Sequence, residues 1–288
     1  MAAAADSVTA PTPTFAELQR DLPVLTLRAV RFRALAAASR GGALLSEGLR
    51  IGHAHGFDSG PFMAHVYANE PQGRTPVGRL IDQRLLTRRT CQAFREIRVL
   101  AREALEEAVG ACGIDAPVIA DLAAGPAPYL FEVLFSHQRA TAIVGDIDPN
   151  ALAQASSQAA KSGLVDRVAF VQASAFDRSA LERLDPAPNI VVELGLYGIY
   201  HDDALIERHF LDLAETVAPG QIVFNVQTQN PEIEHIARVW RDHRGERCVW
   251  RLRPVESILG WAAAAGYAPA AIRSDSHGIY RVGRLVRT

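Results

Sequence analysis

The spacing of apolar side chains changes character once along the chain, near Pro117. Before it, apolar residues recur at helical intervals; after it, short apolar runs alternate with amphipathic stretches. From Phe15 to about Leu49, the positions of Leu25, Val30, Leu35, Leu44 and Leu45, punctuated by Pro23 and the Gly41-Gly42 pair, predict two or three helices. His53 to Pro61 reads as loop, Phe62 to Tyr67 as the start of a further short helix, and Asn69-Glu70-Pro71-Gln72-Gly73-Arg74 as turn chemistry. A long helix is predicted from about Val77 to Cys112, with a break near Thr87. Its Arg79, Arg84, Arg88, Arg89, Arg95, Arg98 and Arg102 form a largely solvated face from which one or two can turn inward toward an anion.

Past Pro117, strands are predicted at 118–122, 141–146, 167–171, 189–194 and 221–226, with helices between them at about 129–137, 149–162, 178–184 and 203–217. Pro149-Asn150 marks a helix start and Gly163 a helix stop. The tail adds a strand near 247–252, a helix at 254–265 ended by Gly266, and strands near 267–273 and 279–286. The last two, around Ser274-Asp275-Ser276-His277-Gly278, predict an antiparallel finish. Strand–helix alternation of this kind builds a parallel sheet covered by helices on both faces. Residues 1–14, mostly Ala, Thr and Pro, have the composition of a disordered tail. The expected organisation is a tail at 1–14, a helical cap or lid at 15–112 and an α/β domain at 113–288.

Composition narrows the function more than the fold. The chain has 288 residues, 49% hydrophobic and 22% charged, with a formal net charge of −2. That provides no global attraction for nucleic acid or an anionic membrane and favours a small-molecule substrate. Cys91, Cys112 and Cys248 are far apart and in no metal-ligand spacing, so they read as spare thiols in a reducing compartment. The N-terminus lacks a basic start and an apolar core, and no run approaches the ~18 apolar residues of a membrane span. A cytoplasmic location is expected, with a homodimer as the candidate assembly.

The candidate chemistry centres on Val118-Ile119-Ala120-Asp121-Leu122-Ala123-Ala124-Gly125-Pro126-Ala127-Pro128-Tyr129-Leu130. An apolar strand ends in an acid, and small residues carry the chain round a tight turn into a helix. Such units hold nucleotide-like ligands at the carboxyl end of the strand, where the backbone must come close to the ligand. One helix and one strand further on, Gly145-Asp146-Ile147-Asp148-Pro149 ends the second strand. A carboxylate there can accept two hydrogen bonds from a cis-diol. The other role open to Asp146 is capping the helix that begins at Pro149, for which Asp148 is the better placed.

These motifs and the strand order resemble the class I S-adenosylmethionine (SAM)-dependent methyltransferases over residues from about 95 to 288. Asp121-Leu122-Ala123-Ala124-Gly125 is similar to their DxGxG signature, and Gly145-Asp146-Ile147-Asp148-Pro149 to their ribose-binding strand end. Phe170-Val171-Gln172-Ala173-Ser174-Ala175-Phe176-Asp177 is similar to the stretch that meets adenine. Gly195-Leu196-Tyr197, Ala123-Ala124-Gly125 and the upstream Pro71-Gln72-Gly73-Arg74…Gly78-Arg79-Leu80-Ile81-Asp82 resemble a bacterial methyltransferase group without a settled substrate, some of whose members are fused to an α/β-hydrolase.

The resemblance implies a Rossmann-like, seven-stranded, mostly parallel sheet with an antiparallel last strand, plus the helical cap. It implies SAM as cofactor, with Asp121, Ala123, Gly125, Tyr129, Asp146, Ile147, Ser174, Ala175 and Glu193 around it. Near the transferred group, Tyr197 and Tyr200 can present ring faces to the sulfonium, and His201 beside Asp202 can serve as a base oriented by a carboxylate. Their alternative roles are a packed aromatic rim and an exposed helix start. Glu193, on an otherwise apolar strand, needs a donor, either the SAM amino group or a core arginine. Asn225, Gln227, Gln229 and Asn230 are candidates for the acceptor pocket. His53, His55, His65 and Asp58 have only weak metal-like spacing, and no metal is expected.

The absence of a DPPY-like motif after the fourth strand disfavours DNA or protein-amide methylation. The sequence also departs from the family pattern. Ala123 and Ala127 stand for glycines, Pro126 and Pro128 stiffen the loop, and Ser174 replaces an acid. Alanine is costly where φ must be positive, so the loop is expected to avoid that conformation or to hold SAM differently. The favoured function is a biosynthetic methyltransferase acting on a small molecule. The alternatives are a SAM-consuming enzyme that cyclises or eliminates the aminocarboxypropyl arm, and a SAM binder without activity.

Overall fold

A computed structural model describes residues 12–288. Most of the tail expected at 1–14 lies outside the described residues. Thr14 is the N-cap of the first helix, α1 (Phe15–Gln19), in a capping box with Glu17.

Seven strands form one sheet: β1 (Val118–Asp121), β2 (Thr141–Asp146), β3 (Val168–Gln172), β4 (Ile190–Glu193), β5 (Gln221–Gln227), β6 (Tyr267–Ser274) and β7 (Tyr280–Arg287). Their order is β3-β2-β1-β4-β5-β7-β6. The first five pair in parallel, and β7 runs antiparallel to both β5 and β6. The burial of each strand follows its place. All of β4 and β5, in the interior, are buried. The edge strands β3 and β6 expose part of their length, as strands with one open side do.

Alternation along the strands divides the core into two layers. Ile119, Val144, Val192 and Val223 face one side with the helices α6 (Arg89–Ala111), α7 (Pro128–Ser136) and α8 (Pro149–Lys161). Ala120, Ile143, Val191, Ile222 and Phe224 face the other, with α11 (Asp203–Asp212) and α13 (Val255–Ala264). The topology and the antiparallel last strand agree with the sequence-based expectation.

One predicted strand does not form. Residues 247–252 make a single bridge, Arg241 to Arg247, and then run without secondary structure. The side of β5 away from β4 is already taken by β7, so they gain no place beside it. Cys248, Val249 and Trp250 are buried against the helical side of the core instead, which explains their apolar character. The helix predicted at 203–217 is α-helical only to Asp212 and closes with a π-helical turn, Leu213–Val217.

Among the described residues the N-terminal region holds four more helices: α2 (Leu27–Gly42), α3 (Glu47–His55), α4 (Gly60–Ala68) and α5 (Pro76–Leu86). His53 and His55 belong to α3, and only a short link separates α3 from α4, so the loop expected over 53–61 is mostly helical. Ser59 caps α4 and Pro61 occupies its first turn, a start signal legible in Ser59-Gly60-Pro61. The break near Thr87 separates α5 from α6 as expected. Leu18, Leu49, Phe57, Phe62, Val66, Leu85 and Leu86 join the same apolar cluster as Ile119 and Val192, so the N-terminal helices share one core with a face of the sheet.

A buried polar knot fastens these helices. The Asp82 carboxylate accepts hydrogen bonds from Ser46 Oγ (2.6 Å) and Gly48 N–H (2.7 Å) on one oxygen. The other oxygen receives Gln72 N–H (2.9 Å) and pairs with His65 Nε2 (3.0 Å). The Gly73…Gly78…Asp82 spacing gains its reason here. A Cβ on Gly73 would meet Arg79 N at 2.1 Å, and one on Gly78 would meet Leu45 O at 2.2 Å.

Candidate active site

The loop after β1 is shaped by two left-handed residues. Gly125 has φ 52° and Ala127 has φ 40°. Of the two outcomes expected from the sequence, avoidance of positive φ does not hold at Ala127, which adopts it at a cost of about 1–2 kcal/mol. Its methyl is fully buried, and Pro128 behind it supplies the fixed φ of a first helical residue.

The loop's N–H groups are committed internally. Ala124 donates to Gly145 O (3.1 Å), Ala127 to Ala124 O (2.9 Å), and Gly125 to Asp146 Oδ2 (2.9 Å). The loop therefore contributes space and carbonyls more than free donors. A Cβ on Gly125 would meet nothing within 4 Å, so its open side faces unfilled volume.

Asp146 is the hinge between two loops. Its other oxygen accepts Asp148 N–H (2.9 Å), while Asp148 itself caps α8 through Asn150 N–H (2.9 Å). Capping thus falls to Asp148, and each Asp146 oxygen retains a lone pair for a further donor. Beneath the loop, Asp121 is wholly buried and accepts a hydrogen bond from Tyr129 Oη. Burial pushes its carboxyl up to about 7, against the pull of Tyr129 and Ala123.

At the end of β4, Gly195 (φ 80°) donates its N–H to Asn225 Oδ1 (2.8 Å) on β5. Glu193, also fully buried, accepts from Tyr197 Oη and pairs with His209 Nε2. Its partners are a phenol and an imidazole, where the sequence reading had offered the SAM amino group or an arginine.

A cavity of about 280 Å³ opens at the carboxyl ends of β1, β2, β4 and β5, the usual ligand crevice of such sheets. Ala123, Gly125, Tyr129, Asp146, Ile147 and Tyr200, expected from the sequence, line it together with Asn225 and Gln227. Gln227 is buried and its Nε2 has no partner among the described residues. Asp121 lies behind this wall, joined to it through Tyr129.

The remaining expected residues do not line the cavity. Tyr197 is fully buried between Phe210 and Phe224. His201 is exposed and bonds Val249 O (2.7 Å), while Asp202 caps α11. Ser174 accepts Phe176 N–H (3.2 Å), Ala175 is packed in the core of the opposite layer, and Glu193 is closed off by its two partners.

Among the described residues, no three His, Cys, Asp or Glu side chains converge as a metal site. His53 bonds Ser39 Oγ (2.9 Å), His65 belongs to the Asp82 knot, and Asp58 pairs with His243.

Several lining residues were not singled out from the sequence. Met63 and Tyr67 come from α4, Phe94 and Ile97 from α6, and Trp250 and Tyr280 from the C-terminal third. Arg98 is the inward-turning arginine of the α6 face. It lines the cavity, lies 5.7 Å from the Tyr67 ring centroid and pairs with Glu132. Only the expectation that one or two arginines of this face can turn inward foreshadowed it.

Comparison with known proteins agrees with this geometry. A family model described as "Putative methyltransferase" matches residues 2–287. The uncharacterized protein YnbC of Escherichia coli (strain K12) is 31% identical over 249 residues, covering 84% of this chain and 42% of that protein. The chain therefore spans less than half the length of this relative. Among solved structures, a possible exported protein from Bordetella parapertussis has a TM-score of 0.61 at 15% identity, over 91% of this chain and 99% of that one. Magnesium protoporphyrin IX methyltransferase (ChlM) from Synechocystis PCC 6803, with bound SAH, has a TM-score of 0.55 at 11% identity, over 82% and 98%. These two structures share the fold. No helix among the described residues is long and apolar enough to cross a membrane. With sheet order, loop and family match in agreement, the chain belongs to this "Putative methyltransferase" family.

Proposed function

We propose that this chain transfers the methyl group of SAM to a small, flat, largely apolar acceptor held in the cavity between α4, α6 and the ends of β4 and β5. The observation that carries the reading is Asp146. Its carboxylate holds Gly125 and Asp148 at the rim of the cavity and keeps a lone pair on each oxygen for the two hydroxyls of a ribose.

The surrounding groups fit the rest of the molecule. Ile147 is 61% exposed and offers an apolar surface for adenine. Because the loop N–H groups are engaged, the carboxylate of SAM falls to Arg98, the one permanent cation that lines the cavity among the described residues. Tyr67 and Tyr200 present aromatic rings to a sulfonium, a contact of about 0.5–2 kcal/mol. When bound, SAM supplies an activated methyl carbon for in-line displacement. The protein's part is alignment and exclusion of water. The helices before α6 act as the lid, since Asp58, Ser59, Gly60, Met63 and Tyr67 close the cavity from above.

Calorimetry with SAH tests the reading. The wild-type protein is expected to bind SAH, and Asp146→Ala to bind it at least tenfold more weakly. Equal affinity in both proteins refutes the assignment of Asp146. Mass spectrometry of incubations with SAM separates the reactions. SAH appearing only with an acceptor supports methyl transfer, whereas methylthioadenosine formed without one would mean attack within the aminocarboxypropyl arm.

A further inference from the structure

Resting on the methyltransferase reading, we propose that His243, oriented by Asp58, is the general base of this site and that its substrate is an aromatic hydroxyl. Asp58 and His243 lie 185 residues apart in sequence, yet both line the cavity. Asp58 Oδ1 accepts the His243 backbone N–H at 2.8 Å, and Oδ2 meets Nδ1 of the same residue at 2.9 Å. The Asp58 side chain is 5% exposed and that of His243 52%.

The pairing is held from outside. Phe57 stacks on Trp240 with centroids 4.7 Å apart and planes 8° from parallel, and its N–H donates to Arg241 O at 2.8 Å. Gly56, at φ 97°, permits the approach, since a Cβ there would lie 2.3 Å from His243 N.

A carboxylate only accepts hydrogen bonds, so its partner Nδ1 must carry the proton. The neutral imidazole then has its lone pair on Nε2, which has no hydrogen-bond partner among the described residues. An orienting acid, an imidazole with a free basic nitrogen and an exposed edge for losing the proton to solvent are the components of general-base catalysis.

The chemistry of the acceptor follows. An amine attacks through its lone pair and loses its proton afterwards, and an aromatic thiol is already ionised near neutral pH. A hydroxyl is a poor nucleophile until its proton leaves, so a base earns its place only there. Tyr200, Trp250, Phe94 and Tyr280 line the same space and suit a flat ring. In the step, the hydroxyl proton passes to Nε2, the oxygen forms a bond to the methyl carbon, and the carbon–sulfur pair returns to sulfur, leaving neutral SAH. The imidazolium then releases its proton to water.

Phenol and thiophenol, which share a shape and differ in the nucleophile, test the proposal with the full chain and SAM. Wild type is expected to methylate phenol. His243→Gln is expected to lose about 10²–10⁴-fold in kcat on phenol, while thiophenol transfer and calorimetric SAH affinity stay within about threefold. Asp58→Asn, altering the positioning residue, is expected to lower kcat on phenol by about tenfold or more with the same sparing of thiophenol. Equal loss on phenol and thiophenol means a structural role and overturns the proposal. So does unchanged phenol transfer in His243→Gln, or a wild type that binds SAH but never methylates phenol. Failure of wild type to bind SAH at all sinks the underlying methyltransferase reading instead.

Discussion

Asp82 and Asp121 are both wholly buried aspartates, and they respond to burial in opposite ways. Burial alone would raise each. At Asp82 it is outweighed by hydrogen bonds from His65, Ser46, Gln72 and Gly48, and the carboxyl is held at about 2. At Asp121 the only donors among the described residues are Tyr129 Oη and a long contact from Ala123 N–H (3.4 Å), with Asp146 and Glu193 adding repulsion. The carboxyl is pushed up to about 7. The number of aimed donors decides the protonation of a buried acid. The fully satisfied acid fastens the N-terminal helices; the under-satisfied one lies behind the cavity, joined to it by Tyr129. Strongly perturbed acids beside clefts are where function is to be sought.

The largest test of this contrast is at the fastener. Asp82→Ala leaves Ser46 and the Gly48 and Gln72 N–H groups without their partner. It is expected to cost about 3–5 kcal/mol in urea unfolding, as losing one side of a buried charged network does. A cost under about 1 kcal/mol would equate the knot with an exposed ion pair and break the comparison.

The pH dependence comes next, with opposite signs at the two sites. The Asp82 contribution is present above its unfolded value near 3.8 and is lost as pH falls toward about 2. For Asp121 the folded state binds the proton more tightly, so its contribution to stability declines as pH rises from 3.8 to about 7 and is then level. Asp121→Asn is therefore expected to melt at a higher temperature than wild type at pH 8 and to lack that decline. Identical pH profiles for the two proteins would show that Asp121 ionises freely.

The smallest expected effect sharpens the same point. Tyr129→Phe removes the main donor to Asp121 and should move its titration upward, read from the carboxyl carbon by NMR. A downward shift would mean that Tyr129 is not that donor.

Much of the site was legible from local signals, because those signals and the structure share one cause. Gly125 and Asp146 stood out through spacing set by one helix and one strand, and they meet at 2.9 Å. Asn225 and Gln227 were visible as polar residues ending an apolar strand, and both line the cavity. Tyr197, His201, Ser174, Ala175 and Glu193 were placed near the ligand by motif position alone. The structure commits their polar groups elsewhere or packs them in the core. His201 beside Asp202 had the adjacency of a catalytic pair in sequence, whereas Asp58 and His243 have it in space.

The sequence by itself determined the alternation of strands and helices, the antiparallel end, the break at Thr87 and the small-residue turn after β1. Each is encoded within a few neighbouring residues, by periodicity or by backbone preference. Only the tertiary structure decided which face of α6 turned Arg98 inward, which segment was denied a place in the sheet, and that Asp58 would meet His243. Those outcomes depend on which remote surfaces pack together, and no local pattern of side chains records a contact between residues so far apart along the chain.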